Sequence, residues 1–201
     1  MRSMRLLILA PVLLFLAGCA STFEAQVTRF HKLERPAGQT IKIIPQDDRK
    51  VGSLEFQTYA SMIAPELEKL GYKVVAPTAA SDLVARIDYG VADGNTVVRS
   101  DPTHIGWGYG YYRPWYGPWY DFGVYDRRID SYIVFPRHLD LQIVRGNLKP
   151  TDPNWMVYEG HVTSRGRSDK LPDVMPLLIQ ALFTNFPGES GATNEVDIKL
   201  N

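Results

Sequence analysis

Cys19 is the only cysteine in the 201-residue chain, and an unbroken apolar run stands just ahead of it. With a single thiol the chain can close no disulfide of its own and can build no cysteine cluster around zinc, so a packed core has to hold the fold. Arg2 and Arg5 give the N-terminus a short positive start, and residues 6–17 supply 12 apolar residues that include Pro11. As a helix this run reaches about 18 Å at roughly 1.5 Å per residue, against about 30 Å of bilayer hydrocarbon. It is too short for a comfortable membrane span and reads as an export signal.

The junction Leu16-Ala17-Gly18-Cys19 resembles the lipobox of bacterial lipoproteins. The resemblance implies that a signal peptidase recognises Leu16, Ala17 and Gly18 and removes residues 1–18. It also implies a diacylglyceryl thioether on the Cys19 sulfur and an acyl chain such as palmitate on the new amino group. At about 0.8 kcal/mol per buried methylene, two or three acyl chains make a durable anchor. The membrane, reached through this lipid, is therefore the first expected partner. Ala20 follows the cysteine where an Asp would signal inner-membrane retention. By resemblance to enterobacterial sorting, this implies the periplasmic face of the outer membrane. Loss of Arg2 and Arg5 leaves 20 basic against 22 acidic side chains. That balance lacks the clustered cationic excess nucleic-acid binding needs, so no nucleic-acid partner is expected. It also gives no electrostatic reason for the body to lie on anionic lipid.

At 45% apolar residues the remaining chain can bury one sizeable core. Residues 19–38 read as a lipidated tether leading into a first edge strand, with Phe23, Val27, Phe30 and Leu33 among polar residues. Residues 40–45 are β-branched and stop at Pro45, which predicts a strand. Ser53 is placed to cap a helix reaching Leu70, with Leu54, Tyr59, Ile63, Leu67 and Leu70 near helical spacing and Gly71 as its stop. Pro65 inside it predicts a kink or a break. Residues 72–76 and 81–89 predict two further strands, the second alternating at Leu83, Ala85 and Ile87. Residues 131–144 and 155–163 read as a long-turned hairpin. Pro172 opens a second helix carrying Val174, Leu177, Leu178, Ala181, Leu182 and Phe186 to a stop at Pro187-Gly188, and residues 195–200 add a last strand. The expectation is an α+β domain: a mixed, largely antiparallel sheet of five or six strands, with two helices on one face and a long Gly/aromatic-rich loop.

The order of these elements is itself informative. The lipobox, the helix ending in Leu70-Gly71-Tyr72-Lys73-Val74-Val75, the Ser81-Asp82-Leu83-Val84-Ala85-Arg86-Ile87-Asp88-Tyr89 strand, a Gly/Tyr/Trp-rich insertion, a paired ladder and a short final helix together resemble the DUF4136 family of bacterial lipoproteins. The resemblance covers essentially the whole chain after Cys19 and implies a periplasmic domain over residues 39–201 with an insertion at about 104–128. It implies a fold and an address, but no reaction.

Residues 107–125 hold 10 of the 23 aromatic residues and three of the four tryptophans, with Arg113 and Asp121 the only charged side chains. Glycine alternates with rings at Trp107, Tyr109 and Tyr111, so an extended backbone would put those rings on one side. Tyr112 follows, and then Pro114-Trp115-Tyr116-Gly117 is echoed by Pro118-Trp119-Tyr120-Asp121, with Phe122 behind it. A low-complexity loop or a self-packed hairpin explains this composition. So does a contact surface, because Tyr and Trp join a large apolar body to a polar tip. Such rings stack on sugars, settle among lipid headgroups or anchor protein interfaces.

Catalytic signatures are sparse. His31, His104, His138 and His161 are scattered, and none has the spacing of a zinc-binding helix motif. There is no nucleophile elbow and no P-loop. Gly106, Gly108 and Gly110 approach a dinucleotide fingerprint, but Tyr111 breaks it and no helix follows. Asp82, Asp88, Asp93 and Asp101 read as strand-edge and turn residues, and Arg165, Arg167 and Lys170 as a solvated cluster. No catalytic residue, metal or cofactor is expected. The chain reads as an anchored, non-enzymatic binding or assembly module, with an envelope protein or glycan as the further partner. The alternatives are an envelope glycan-processing enzyme, which needs two facing carboxylates, and a structural lipoprotein with a dispensable loop.

Overall fold

A computed structural model describes residues 21–33, 36–100 and 129–200. Its elements in chain order are β1 (Thr22–His31), β2 (Thr40–Pro45), α1 (Leu54–Lys69), β3 (Lys73–Val75), β4 (Leu83–Val91), β5 (Asn95–Ser100), β6 (Ile129–Arg145), β7 (Met156–Gly166), α2 (Leu171–Phe183) and β8 (Ala192–Lys199), with a 3-10 turn at Asp48–Lys50. The sheet runs β3-β2-β4-β6-β7-β1-β8, and β5 pairs with β6 outside that path. β2 is parallel to β3 and β4, and the remaining pairs are antiparallel. The α+β class and the mixed, largely antiparallel sheet follow the expectation from the sequence.

Period-two alternation sets which face is covered. Val27 on β1, Ile41 on β2, Ala85 and Ile87 on β4, Leu139, Leu141 and Ile143 on β6, and Tyr158 and Val162 on β7 are fully buried. They form one core with Phe56, Tyr59, Ile63 and Leu67 of α1 and Met175, Leu178 and Leu182 of α2, so both helices lie on the same face. Burying each such side chain contributes about 1.5–3 kcal/mol.

Among the described residues the strands number eight, where five or six were expected. β1 is an interior strand between β7 and β8 and not a tether ending in an edge. Its alternation of Phe23, Ala25 and Val27 against Glu24 and Gln26 fits that place. β5 is the other addition, built on the β-branched Thr96-Val97-Val98. α1 runs unbroken through Pro65. The roughly 3 kcal/mol that an internal proline costs is offset because Ile63 and Leu67, on either side of it, are fully buried. Ser53 caps α1, its hydroxyl accepting from Phe56 N at 3.4 Å, and Gly71 ends it with a φ of +101°. Leu54, expected on the apolar face, points to solvent at 79% exposure, and Phe56 packs in the core instead.

α2 stops at Phe183, short of the expected Phe186. The buried Arg29 of β1 sets that limit, its Nη2 donating to the carbonyls of Ala181, Leu182 and Thr184 at 3.2, 3.0 and 2.8 Å. A cation that satisfies the unpaired carbonyls at a helix C-terminus also meets the negative end of its dipole.

Candidate functional site

Cys19 and its recognition residues Leu16, Ala17 and Gly18 lie outside the described residues, as do Trp107, Tyr109, Tyr111, Tyr112, Trp115, Tyr116, Trp119, Tyr120 and Phe122. The structure does describe the frame that carries the aromatic segment. β6 pairs with β4 and β7 in its second half and with β5 alone in its first. β4 ends at Val91, Ala92 donates its N–H to Pro136 O at 2.8 Å, and β5 resumes the ladder at the Asn95–Val134 pair. Gly94 sits in this break because a Cβ there would lie 2.4 Å from Ile133 Cγ2. The last rung, Ser100 opposite Ile129, draws the two ends of residues 101–128 together at the tip of a two-stranded ribbon.

That ribbon exposes apolar side chains on both faces. Directly opposed residues share a face, so Val97 and Tyr132 lie on one side while Val98 and Ile133 lie on the other. Val97, Val98 and Ile133 are 38%, 62% and 52% exposed. Arg167, just beyond β7, places its guanidinium 4.8 Å from the Tyr132 ring centroid and ties the ribbon base to the body. Of the cluster read from the sequence, Arg167 thus has a definite contact, while Arg165 is exposed and Lys170 precedes α2.

A second feature lies on the sheet face that the helices leave open. The alternation that buries Ile87, Leu141 and Val162 turns Asp88, Asp140 and His161 to the opposite side. The register sets Asp88 against Asp140, Asp140 against His161, His161 against Thr28, and Thr28 against Thr193. This is one polar row across five strands, closed at its far end by the Thr28 and Thr193 hydroxyls at 2.8 Å. His138, two residues before Asp140, lies opposite Gly90. His161 Nδ1 is hydrogen-bonded to Asp140 Oδ1. His138 Nε2 stands 3.8 Å from Asp88 Oδ2.

Lys50, delivered by the 3-10 turn, donates to Asp88 Oδ1 at 2.5 Å and to Tyr89 O at 2.7 Å. Partial burial pushes the Asp88 carboxyl up, but the Lys50 ammonium, helped by the Tyr89 backbone and His138, outweighs this and lowers it from its usual value. Asp88 therefore stays ionised at neutral pH and can accept hydrogen bonds or bind a cation. Asp88, His138 and Asp140 each offer a donor atom within 4.8 Å of the other two.

The other sequence candidates have structural roles. Asp82 Oδ2 accepts from Thr40 N and Oγ1 at 2.8 and 2.7 Å, joining the starts of β2 and β4. His31 Nε2 meets Gly188 O at 3.1 Å. Asp93 lies between β4 and β5, while His104 and Asp101 fall outside the described residues. Among the described residues, no helix is long and apolar enough to cross a membrane.

The family model described as a domain of unknown function, DUF4136, matches residues 23–188. A DUF4136 family protein of known structure from Bacteroides thetaiotaomicron is similar at 14% identity over 83% of this chain and 97% of its own, with a TM-score of 0.44. PelC, solved as a dodecamer from Paraburkholderia phytofirmans, is similar at 11% identity over 79% of this chain and 93% of its own, with a TM-score of 0.39. A PDZ domain protein from Parabacteroides distasonis is similar at 15% identity over 90% of this chain, with a TM-score of 0.41, and the chain spans 40% of that protein's length. No curated protein matches.

Proposed function

The chain belongs to the DUF4136 family, and from that premise we propose that it is an outer-membrane lipoprotein, anchored through Cys19, whose periplasmic domain is a non-enzymatic binding or assembly module. The contact surface is the β5–β6 ribbon with the aromatic segment it carries. The observation that supports this reading is the exposure of Val97, Val98 and Ile133 on two opposite faces of one ribbon. Apolar side chains left exposed on one ribbon offer a surface that a partner can cover. Trp115, Tyr116, Trp119 and Tyr120 follow on the same connection with large rings and polar tips.

Hydrolysis of a glycan is the weaker reading. It needs one carboxyl kept protonated near neutral pH beside an ionised one. Asp88 and Asp140 do converge, but Lys50 favours ionised Asp88. An ionised, Lys50-paired carboxylate favours binding over hydrolysis.

Deletion of residues 106–125 tests the reading in cells. The shortened protein is expected to keep its thermal transition and its lipid, measured by calorimetry and intact mass spectrometry, while losing the envelope component that copurifies with the full chain. Unchanged copurifying partners and normal envelope integrity would contradict the proposed contact surface. An unmodified Cys19 thiol in native material would contradict the anchor.

A further inference from the structure

We propose that Asp88, His138 and Asp140, on the open face of the sheet, form a binding site for a first-row divalent transition cation of the zinc class. This proposal is independent of the ribbon. The three side chains come from two neighbouring strands, and the register makes their convergence obligatory. His138 and Asp140 are two residues apart on β6 and so share a face, and Asp88 is the direct cross-strand partner of Asp140.

Two observations point past a merely solvated cluster. First, Asp88 and Asp140 are like charges set directly opposite each other, an unfavourable pairing in a sheet, and Lys50 and His161 each meet only one of the two carboxylates from outside the pair. Lys50 reaches only the Oδ1 side of Asp88, and its Oδ2 faces His138. Second, the sheet makes room for the imidazole: Gly90 lies opposite His138, and any Cβ at that position would come within 2.8 Å of His138 Cε1. The ring thus rests over bare backbone with Nε2 turned toward the carboxylates.

The chemistry of the set selects the cation. One imidazole nitrogen and two carboxylate oxygens suit zinc or its first-row neighbours, whereas calcium and magnesium prefer oxygen alone. Bonds of roughly 2.0–2.2 Å place tetrahedral donor atoms about 3.4 Å apart. The donors, now within 4.8 Å of one another, would close by about an ångström, well within a side-chain rotation. His161 holds Asp140 from outside the set through its Nδ1 hydrogen bond, as a hydrogen-bonded carboxylate ligand commonly is held. Three protein donors on an exposed face leave the remaining positions to water or to a group from a partner.

Titration calorimetry of the untagged full-length protein in detergent micelles, with zinc chloride and then with manganese, calcium and magnesium chlorides, tests the site. One equivalent of zinc is expected to bind, with a shift of the His138 ring resonances in NMR spectra. His138→Gln and Asp140→Asn are expected to weaken binding at least tenfold. His161→Gln, which removes only the outer hydrogen bond, is expected to weaken it about tenfold. Each variant is checked for an unchanged thermal transition, which these open-face positions permit. Absence of saturable zinc binding, equal binding by the His138→Gln variant, or binding of calcium or magnesium in preference to zinc would overturn the proposal.

Discussion

One strand, β6, passes through two physical environments. From Arg137 to Val144 it pairs on both sides, with β4 and β7, and its inward residues Leu139, Leu141 and Ile143 are fully buried. Between Ile129 and Val134 it pairs with β5 alone, and Ile133 is half exposed. Both halves are paired in continuous antiparallel ladders apart from a register shift at Ile143/Val144 in the covered half. The difference is that helices cover one half. An isolated two-stranded ribbon is marginal in water, so apolar residues there do little for the fold and are available for contact.

The sharpest way to break this comparison is to cut the same kind of side chain from each half. Leu141→Ala is expected to cost about 2–5 kcal/mol, measured by urea unfolding, because Leu141 is fully buried. If that variant unfolds at the wild-type midpoint, the covered half is not what holds the domain. The junction comes next. Gly94→Val forces a Cβ into Ile133 Cγ2, 2.4 Å away, and overpacking of this kind costs about 1–3 kcal/mol. Hydrogen exchange is expected to speed up in β5 and in residues 129–134 while β4 and β7 stay protected. Uniform loss of protection would show that ribbon and sheet are one cooperative unit.

An alkaline pH effect belongs to the covered side. Burial pushes the Tyr158 and Tyr89 hydroxyls up to about 12. Because the folded values lie above the unfolded value of about 10, this stability is complete below pH 10 and is lost as pH rises toward 12. The melting temperature is expected to fall across that window, with the Tyr89 and Tyr158 ring resonances in NMR spectra shifting only as the fold is lost. Titration of these two resonances near pH 10 with the fold intact would show the rings to be accessible. The smallest effect is expected in the ribbon: Ile133→Ala should shift stability by less than about 0.5 kcal/mol, as an exposed substitution does. A larger loss would mean that the ribbon is a second core.

The sequence exposed the covered side of the molecule far better than the open one. Helix α1 was legible from its cap and its glycine stop, and β4 and β6 from apolar residues at every second position. Pro65 misled because local propensity cannot weigh the burial of Ile63 and Leu67 against a lost hydrogen bond. β1 misled because its place between β7 and β8 depends on pairing across more than 120 residues of chain. Of the polar row, only the spacing of His138 and Asp140 was visible. Two residues apart is a strand spacing, not the spacing of a metal-binding helix. Asp88 and His161 join them through register, which no local pattern encodes. The exposure of Val98 and Ile133 was hidden for the same reason, since a strand's hydrophobicity does not say whether a helix covers it.

The central claim, that the ribbon and its aromatic segment make the contacts of this domain, is tested most directly by photo-crosslinking in living cells. The crosslinker is placed singly at Val98, Trp115 and Trp119, with Leu54 as a control that is 79% exposed on α1. The account predicts one envelope adduct common to the first three positions and none at Leu54. No adduct at the ribbon positions, or the same adduct from Leu54, would contradict it.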